Sequence, residues 1–128
     1  MASKKKILVI DDDADLVTFI TTLLQDNGYQ TASAGNGQTG LEQARTQHPD
    51  LILLDITMPE KSGVKCYREL RDDPALKQIP VVMVTGVAED FKRFISTRKQ
   101  VPPPDGYISK PFEPQDLLAT IAKLVTSK

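Results

Sequence analysis

Polar side chains stand where short apolar runs end. Ile7 to Ile10 is followed by Asp11 and Asp12, Leu51 to Leu54 by Asp55, and Val81 to Val84 by Thr85; Lys110 comes almost at once after a weaker run at Tyr107 and Ile108. If each run is a strand of one parallel sheet, these ends share the edge at which open parallel sheets bind ligands. Three carboxylates crowded there repel one another, which is costly unless a cation lies among them. The candidate donors are all oxygens, with no cysteine or histidine close by, so the set suits Mg²⁺ or Mn²⁺ far better than zinc, with Mg²⁺ the default. Mg²⁺ keeps waters and binds through a few carboxylates plus a phosphate, so such a site invites a phosphoryl group. A carboxylate can then be the nucleophile and form an acyl phosphate, while metal, lysine and hydroxyl neutralise the equatorial oxygens. Asp55, the cation, Lys110 and Thr85 fit those roles.

Strands and helices must hold these groups in place. Each apolar run is strand-sized, and being apolar throughout it reads as buried on both faces, as in a parallel sheet covered by helices. Between the first two runs Leu16, Ile20, Leu23 and Leu24 recur at helical spacing, opened by Asp12 or Asp13 as cap and closed by Gly28. Helical patterns around Leu41 and Ala44, from Val64 to Leu70 and from Phe91 to Ile95 continue the alternation, with a short second strand near Tyr29 to Ala34. The chain ends on a helix with Pro114 suited to its first position and Leu117, Leu118, Ile121, Leu124 and Val125 on one face. Five βα units in a three-layer α/β sandwich are predicted. No internal repeat or long linker interrupts them, and Pro102, Pro103 and Pro104 read as a stiff, extended loop.

At 128 residues the chain reads as one compact domain, 1–128, too short for a catalytic domain plus a separate effector. The formal net charge of -1 provides no basic field, so nucleic acid is not expected as a direct ligand. Lys4, Lys5 and Lys6 read as a solvated lead-in to the first strand. Cys66 is the only cysteine, which excludes an intrachain disulfide or a paired-thiol zinc site and favours a reducing, cytoplasmic location. No apolar stretch approaches the ~20 residues needed to cross a bilayer, and the first residues lack the apolar core of a secretory signal, so no membrane partner is expected. Asp13 and Asp15 read as helix capping and surface charge, Asp50, Glu60, Asp72, Asp73 and Asp90 as solvated loop charges, and His48 and Cys66 as structural, the thiol partly buried.

Four motifs in order carry a resemblance that spans essentially the whole chain: Val9-Ile10-Asp11-Asp12-Asp13, Leu53-Leu54-Asp55-Ile56-Thr57-Met58-Pro59 with Gly63, Val82-Met83-Val84-Thr85-Gly86, and Asp105-Gly106-Tyr107-Ile108-Ser109-Lys110-Pro111-Phe112. They resemble the receiver domain of two-component response regulators, chemotaxis regulators among them. The resemblance implies a doubly wound, flavodoxin-like parallel sheet of five strands in the order 2-1-3-4-5. It implies Asp55 as the phosphoacceptor, Asp12 as a direct metal ligand, Asp11 as a ligand or supporting acid, and the backbone carbonyl of Thr57 as a further ligand. Thr85 and Lys110 would contact the phosphoryl oxygens, and Tyr107 matches an aromatic position that turns inward on activation. The implied partners are a sensor histidine kinase or phosphotransfer protein upstream and a protein target downstream. A cis peptide between Lys110 and Pro111 is also implied. Two stretches depart from the family pattern: Ser96 to Asp105 is longer and richer in proline, on the usual output surface, and apolar Val87, with Thr57, stands near the path of the hydrolytic water.

Other readings compete. Val9 to Asp13 also fits the nucleophile motif of haloacid-dehalogenase-type phosphatases, which would make Asp11 the phosphorylated residue. That reading leaves Asp55 idle and lacks an acidic pair on a later strand end, since Glu113 and Asp116 open a helix. A flavodoxin-like electron carrier would need a glycine- and hydroxyl-rich phosphate loop where these aspartates stand. A module that docks without phosphorylation would not need the full acidic set. The expectation is therefore a signalling domain and not an enzyme beyond its own phosphorylation and dephosphorylation. No output domain is visible, so the chain is expected to be a stand-alone regulator or a receiver from a longer protein.

Overall fold

The computed structural model describes residues 5–55, 62–85, 105–109 and 112–126. Its elements in chain order are β1 (Lys6–Ile10), α1 (Ala14–Asp26), β2 (Gln30–Ala34), α2 (Gly37–Gln47), β3 (Leu51–Asp55), α3 (Ser62–Asp72), β4 (Val81–Thr85), β5 (Gly106–Ser109) and a final helix, Pro114–Thr126. The strands form one parallel sheet in the order β2-β1-β3-β4-β5, as the resemblance implies. The helical pattern from Phe91 to Ile95, the Pro102 to Pro104 stretch, Glu60 and Asp90 lie outside the described residues.

The inner strands are apolar throughout Ile7 to Ile10, Leu51 to Leu54 and Val81 to Val84 because both faces of the sheet are covered. Leu8, Ile10, Ile52, Leu54, Val81 and Met83 pack with Leu41 and Ala44 of α2 and with Cys66, Tyr67 and Leu70 of α3. Alternate residues, Ile7, Val9, Leu51, Leu53, Val82, Val84 and Ile108, pack with Ile20 and Leu24 of α1 and Leu117, Ile121 and Val125 of the final helix. The edge strand β2 is different: Gln30 and Ser33 are exposed, and only Ala34 is buried. Its weak sequence signal follows from that one-sided packing.

Local chemistry sets the helix ends. Asp13, not Asp12, caps α1: its carboxylate accepts from the amides of Asp15 (3.1 Å) and Leu16 (3.2 Å). The helix runs to Asp26, and Gly28 takes φ 90° in the turn beyond, a conformation that glycine adopts without penalty. Asn36 caps α2 by accepting from the Thr39 amide at 2.8 Å, and His48 ends it in the left-handed region at φ 49°, ψ 58°. Pro114 is the first residue of the final helix.

Two aspartates expected as solvated loop charges have structural partners instead. Asp50 is half-buried, and its Oδ2 accepts from the Lys6 amide at 2.8 Å, fastening the start of β1 to the entry of β3. Asp73 caps the turn after α3 by accepting from the Ala75 amide (2.8 Å) and pairs with Arg45 Nε of α2 (3.2 Å). Cys66 is fully rather than partly buried, and burial above all, with the charge of Glu69, pushes its thiol up to about 12.

Candidate functional site

The register of the sheet decides which groups meet. Ile10 pairs with both Ala34 and Leu54, so the next residue of each central strand, Asp11 and Asp55, stands side by side. Asp55 in turn pairs with Val84, and one position further along Thr85 pairs with Ser109, the residue before Lys110. Asp11, Asp55 and the end of β4 thus share the carboxyl edge of three adjacent strands.

Asp11 continues the ladder just past β1, its amide donating to the Ala34 carbonyl at 3.0 Å, and its Oδ1 accepts from the Asp13 amide at 2.9 Å. That second bond fixes the carboxylate against the loop which starts α1. Asp11 and Asp55 are buried, 3% and 2% exposed, while Asp12 is open to solvent. One carboxylate oxygen from each of the three lies within 4.8 Å of the others, and among the described residues this is the only such acidic group. Among those residues no buried side-chain nitrogen or oxygen lacks a hydrogen-bond partner.

This donor set fits a hard divalent cation. Oxygens bound to one Mg²⁺ at its usual ~2.1 Å stand about 3.0 Å apart when adjacent and about 4.2 Å apart when opposite, and the three aspartate oxygens already lie within 4.8 Å of one another. Asp11 and Asp55 would hold the ion from the buried side and Asp12 from the solvent side, leaving its remaining positions to water or to a phosphoryl oxygen. Thr57, Val87, Lys110 and Pro111 lie outside the described residues. For Thr85 and Tyr107 the backbone alone is described: Thr85 closes β4, and Tyr107 pairs with Met83.

Two features lay outside the sequence reading. Phe19, off the Leu16–Ile20–Leu23 stripe of α1, is 46% exposed, with its ring 6.4 Å from that of Phe112. A groove of about 590 Å³ runs between α2 and α3, with Asn36, Arg45, Lys65 and Glu69 in its walls and none of the three aspartates. Neither has a local sequence signature, since each depends on how distant helices meet.

A family model described as the response regulator receiver domain matches residues 7–122. The chain is 32% identical over 121 residues to the alkaline phosphatase synthesis transcriptional regulatory protein PhoP of Bacillus subtilis, covering 94% of this chain and 48% of that protein. The chain spans about half the length of the curated relatives it matches. Among solved structures, a response regulator receiver domain protein from Methanospirillum hungatei is 28% identical with a TM-score of 0.84, covering 98% of this chain and 96% of that one. The receiver domain of sensor histidine kinase PA1611 from Pseudomonas aeruginosa, with a magnesium ion in its active-site cleft, matches in fold at 24% identity and a TM-score of 0.83, covering 96% of this chain and 98% of that one.

Proposed function

Because the chain belongs to the response regulator receiver domain family of two-component signalling, we propose that residues 1–128 form one receiver domain whose phosphoacceptor is Asp55. The observation that carries this reading is the convergence of Asp11, Asp12 and Asp55 on one point of the sheet edge. Asp55 is the member on the central strand β3, flanked by β1 and by β4, so the other groups approach it from both sides.

In this reading a carboxylate oxygen of Asp55 attacks the phosphorus of a phosphohistidine in a kinase or phosphotransfer protein. The new O–P bond forms as the N–P bond breaks, and the imidazole leaves with the electron pair and takes a proton. Asp11, Asp12 and Asp55 would hold Mg²⁺, with the Thr57 carbonyl as the further ligand that the family resemblance implies. When bound, the ion supplies countercharge and orientation for the phosphoryl oxygens. Thr85 and Lys110 donate to the remaining oxygens, and burial of Asp11 and Asp55 excludes water and strengthens each of these attractions.

The bond from the Asp13 amide keeps Asp11 turned toward the cluster rather than toward solvent. Once phosphate is on Asp55, Thr85 and Lys110 move toward it, Tyr107 follows, and the populations of two conformations shift at a face that docks a downstream protein. The only chemistry catalysed is the gain and loss of the domain's own phosphate. No helix among the described residues is long and apolar enough to cross a membrane, which accords with action in the cytoplasm.

Incubation with acetyl phosphate and Mg²⁺ tests the reading. Acid-stable, hydroxylamine-labile phosphate should appear, vanish on chelation of the metal and be lost in Asp55→Asn. Undiminished labelling of Asp55→Asn would overturn it.

A further inference from the structure

At the end of the sheet opposite the aspartates, one guanidinium ties three segments together. Arg71, in the last turn of α3, keeps only 10% of its side chain exposed. Its Nη2 donates to Asp105 Oδ2 at 2.8 Å, its Nη1 to the carbonyls of Lys77 (2.9 Å) and Ile79 (3.1 Å), and its Nε to the Tyr67 hydroxyl at 3.2 Å. The same Asp105 oxygen accepts from the Val81 amide at 2.8 Å, and the Asp105 amide donates to the Val81 carbonyl at 2.9 Å. Helix α3, the turn leading to β4 and the residue that opens β5 are therefore joined by charge-assisted bonds, the kind that best fix geometry.

The strand tied down in this way is short and lies at the sheet edge. β5 has four residues and pairs with β4 from Val82↔Gly106 to Thr85↔Ser109. Lys110 follows Ser109 directly in the chain. So few ladder bonds fix the strand's position along the sheet only weakly, and four residues rise only about 13 Å, so a shift at Asp105 is carried to the far end.

We propose that Arg71 and Asp105 are positioning residues for phosphoryl transfer, holding β5 in the register that sets its end, Ser109, beside Thr85 at the sheet edge where Asp55 stands, with Lys110 the next residue in sequence. The inference rests on the phosphoacceptor reading above and adds a requirement to it: the clamp acts on the lysine side of the site and not on the metal side, which β1 and β3 supply.

Asp105→Asn keeps the size and the acceptor for Val81 but removes the countercharge of Arg71. At saturating Mg²⁺, and at a temperature where circular dichroism matches the unsubstituted protein, labelling of Asp55 by acetyl phosphate should slow about fivefold or more, because small misplacements of a reacting group are costly in rate. Mg²⁺ affinity measured by calorimetry should not change, and Asp105→Glu, which restores the charge, should recover rate. A clamp that serves stability alone would lower the melting temperature and leave the labelling rate of the folded protein untouched; that result overturns the inference. If Asp105→Asn does not fold, Arg71→Lys carries the same comparison, since one ammonium cannot span the acceptors of a guanidinium. Absence of label on Asp55 in the unsubstituted protein would overturn the phosphoacceptor reading itself, and this inference with it.

Discussion

Gly40 is the position where the fold is least tolerant of a single added carbon. It lies buried in α2, and a Cβ built there would stand 2.6 Å from Ile10 Cδ1, 3.0 Å from Cγ1 and 3.1 Å from Cγ2. Ile10 is fully buried, so its side chain has no free volume to rotate into. Turning the ethyl end away would relieve only the Cδ1 contact, because Cγ1 and Cγ2 both branch from Cβ. In an exposed helix Gly→Ala would stabilise by about 1 kcal/mol. Here overpacking opposes it by about 2–3 kcal/mol, leaving Gly40→Ala about 1–2 kcal/mol less stable. For a chain of this size that is a melting temperature lower by about 3–8 °C. Ile10→Val deletes the closest atom and alone costs about 1 kcal/mol. The double substitution should therefore be less damaging than the sum of the two, by about 1 kcal/mol of favourable coupling. Urea and thermal unfolding followed by circular dichroism measure all four corners of the cycle. A more stable Gly40→Ala, or strict additivity with Ile10→Val, would refute the packing argument.

Other perturbations have equally definite outcomes. His48→Gly should raise stability by about 1 kcal/mol in urea unfolding, because a non-glycine residue at φ 49° gives up about that much. Added Mg²⁺ should raise the melting temperature by mass action, about 2.7 kcal/mol of stabilisation at a hundredfold excess over its Kd. Asp12→Ala should lose that response, and an unchanged Mg²⁺ shift would remove Asp12 from the site. The Ala75 amide above all, and then Arg45, hold the Asp73 carboxyl below its ordinary 3.8. Its contribution is therefore present above that value and lost as pH falls through the lower folded value. The stability gap between the protein and Asp73→Ala should be full at neutral pH and narrow only in strong acid; a gap independent of pH would assign Asp73 a purely steric role.

What was legible beforehand follows from what is local. Strands β1, β3 and β4 announce themselves because burial on both faces leaves no polar position in Ile7 to Ile10, Leu51 to Leu54 or Val81 to Val84. The acidic cluster was legible for the same reason, since Asp11, Asp12 and Asp55 break those runs at their carboxyl ends. Helix ends at Asp13, Gly28 and Pro114 depend on neighbours within a turn or so, and the sequence displays them directly. Partner choice across the fold was not legible. Asp50 with Lys6 and Arg71 with Asp105 are ordinary charged residues until tertiary packing brings them together. Gly40 reads as a poor helix residue until Ile10 is seen beneath it.

If Asp55 accepts the phosphoryl group with Asp11 and Asp12, just past β1, as supporting ligands, the acyl phosphate should form at Asp55 and nowhere else. The most direct test is to label the intact chain with acetyl phosphate and Mg²⁺, reduce the acyl phosphate with borohydride, and locate the modified residue by peptide mass spectrometry. The mark should fall on Asp55 alone, with none when Mg²⁺ is chelated. A mark on Asp11, or one that persists without the metal, would contradict this assignment.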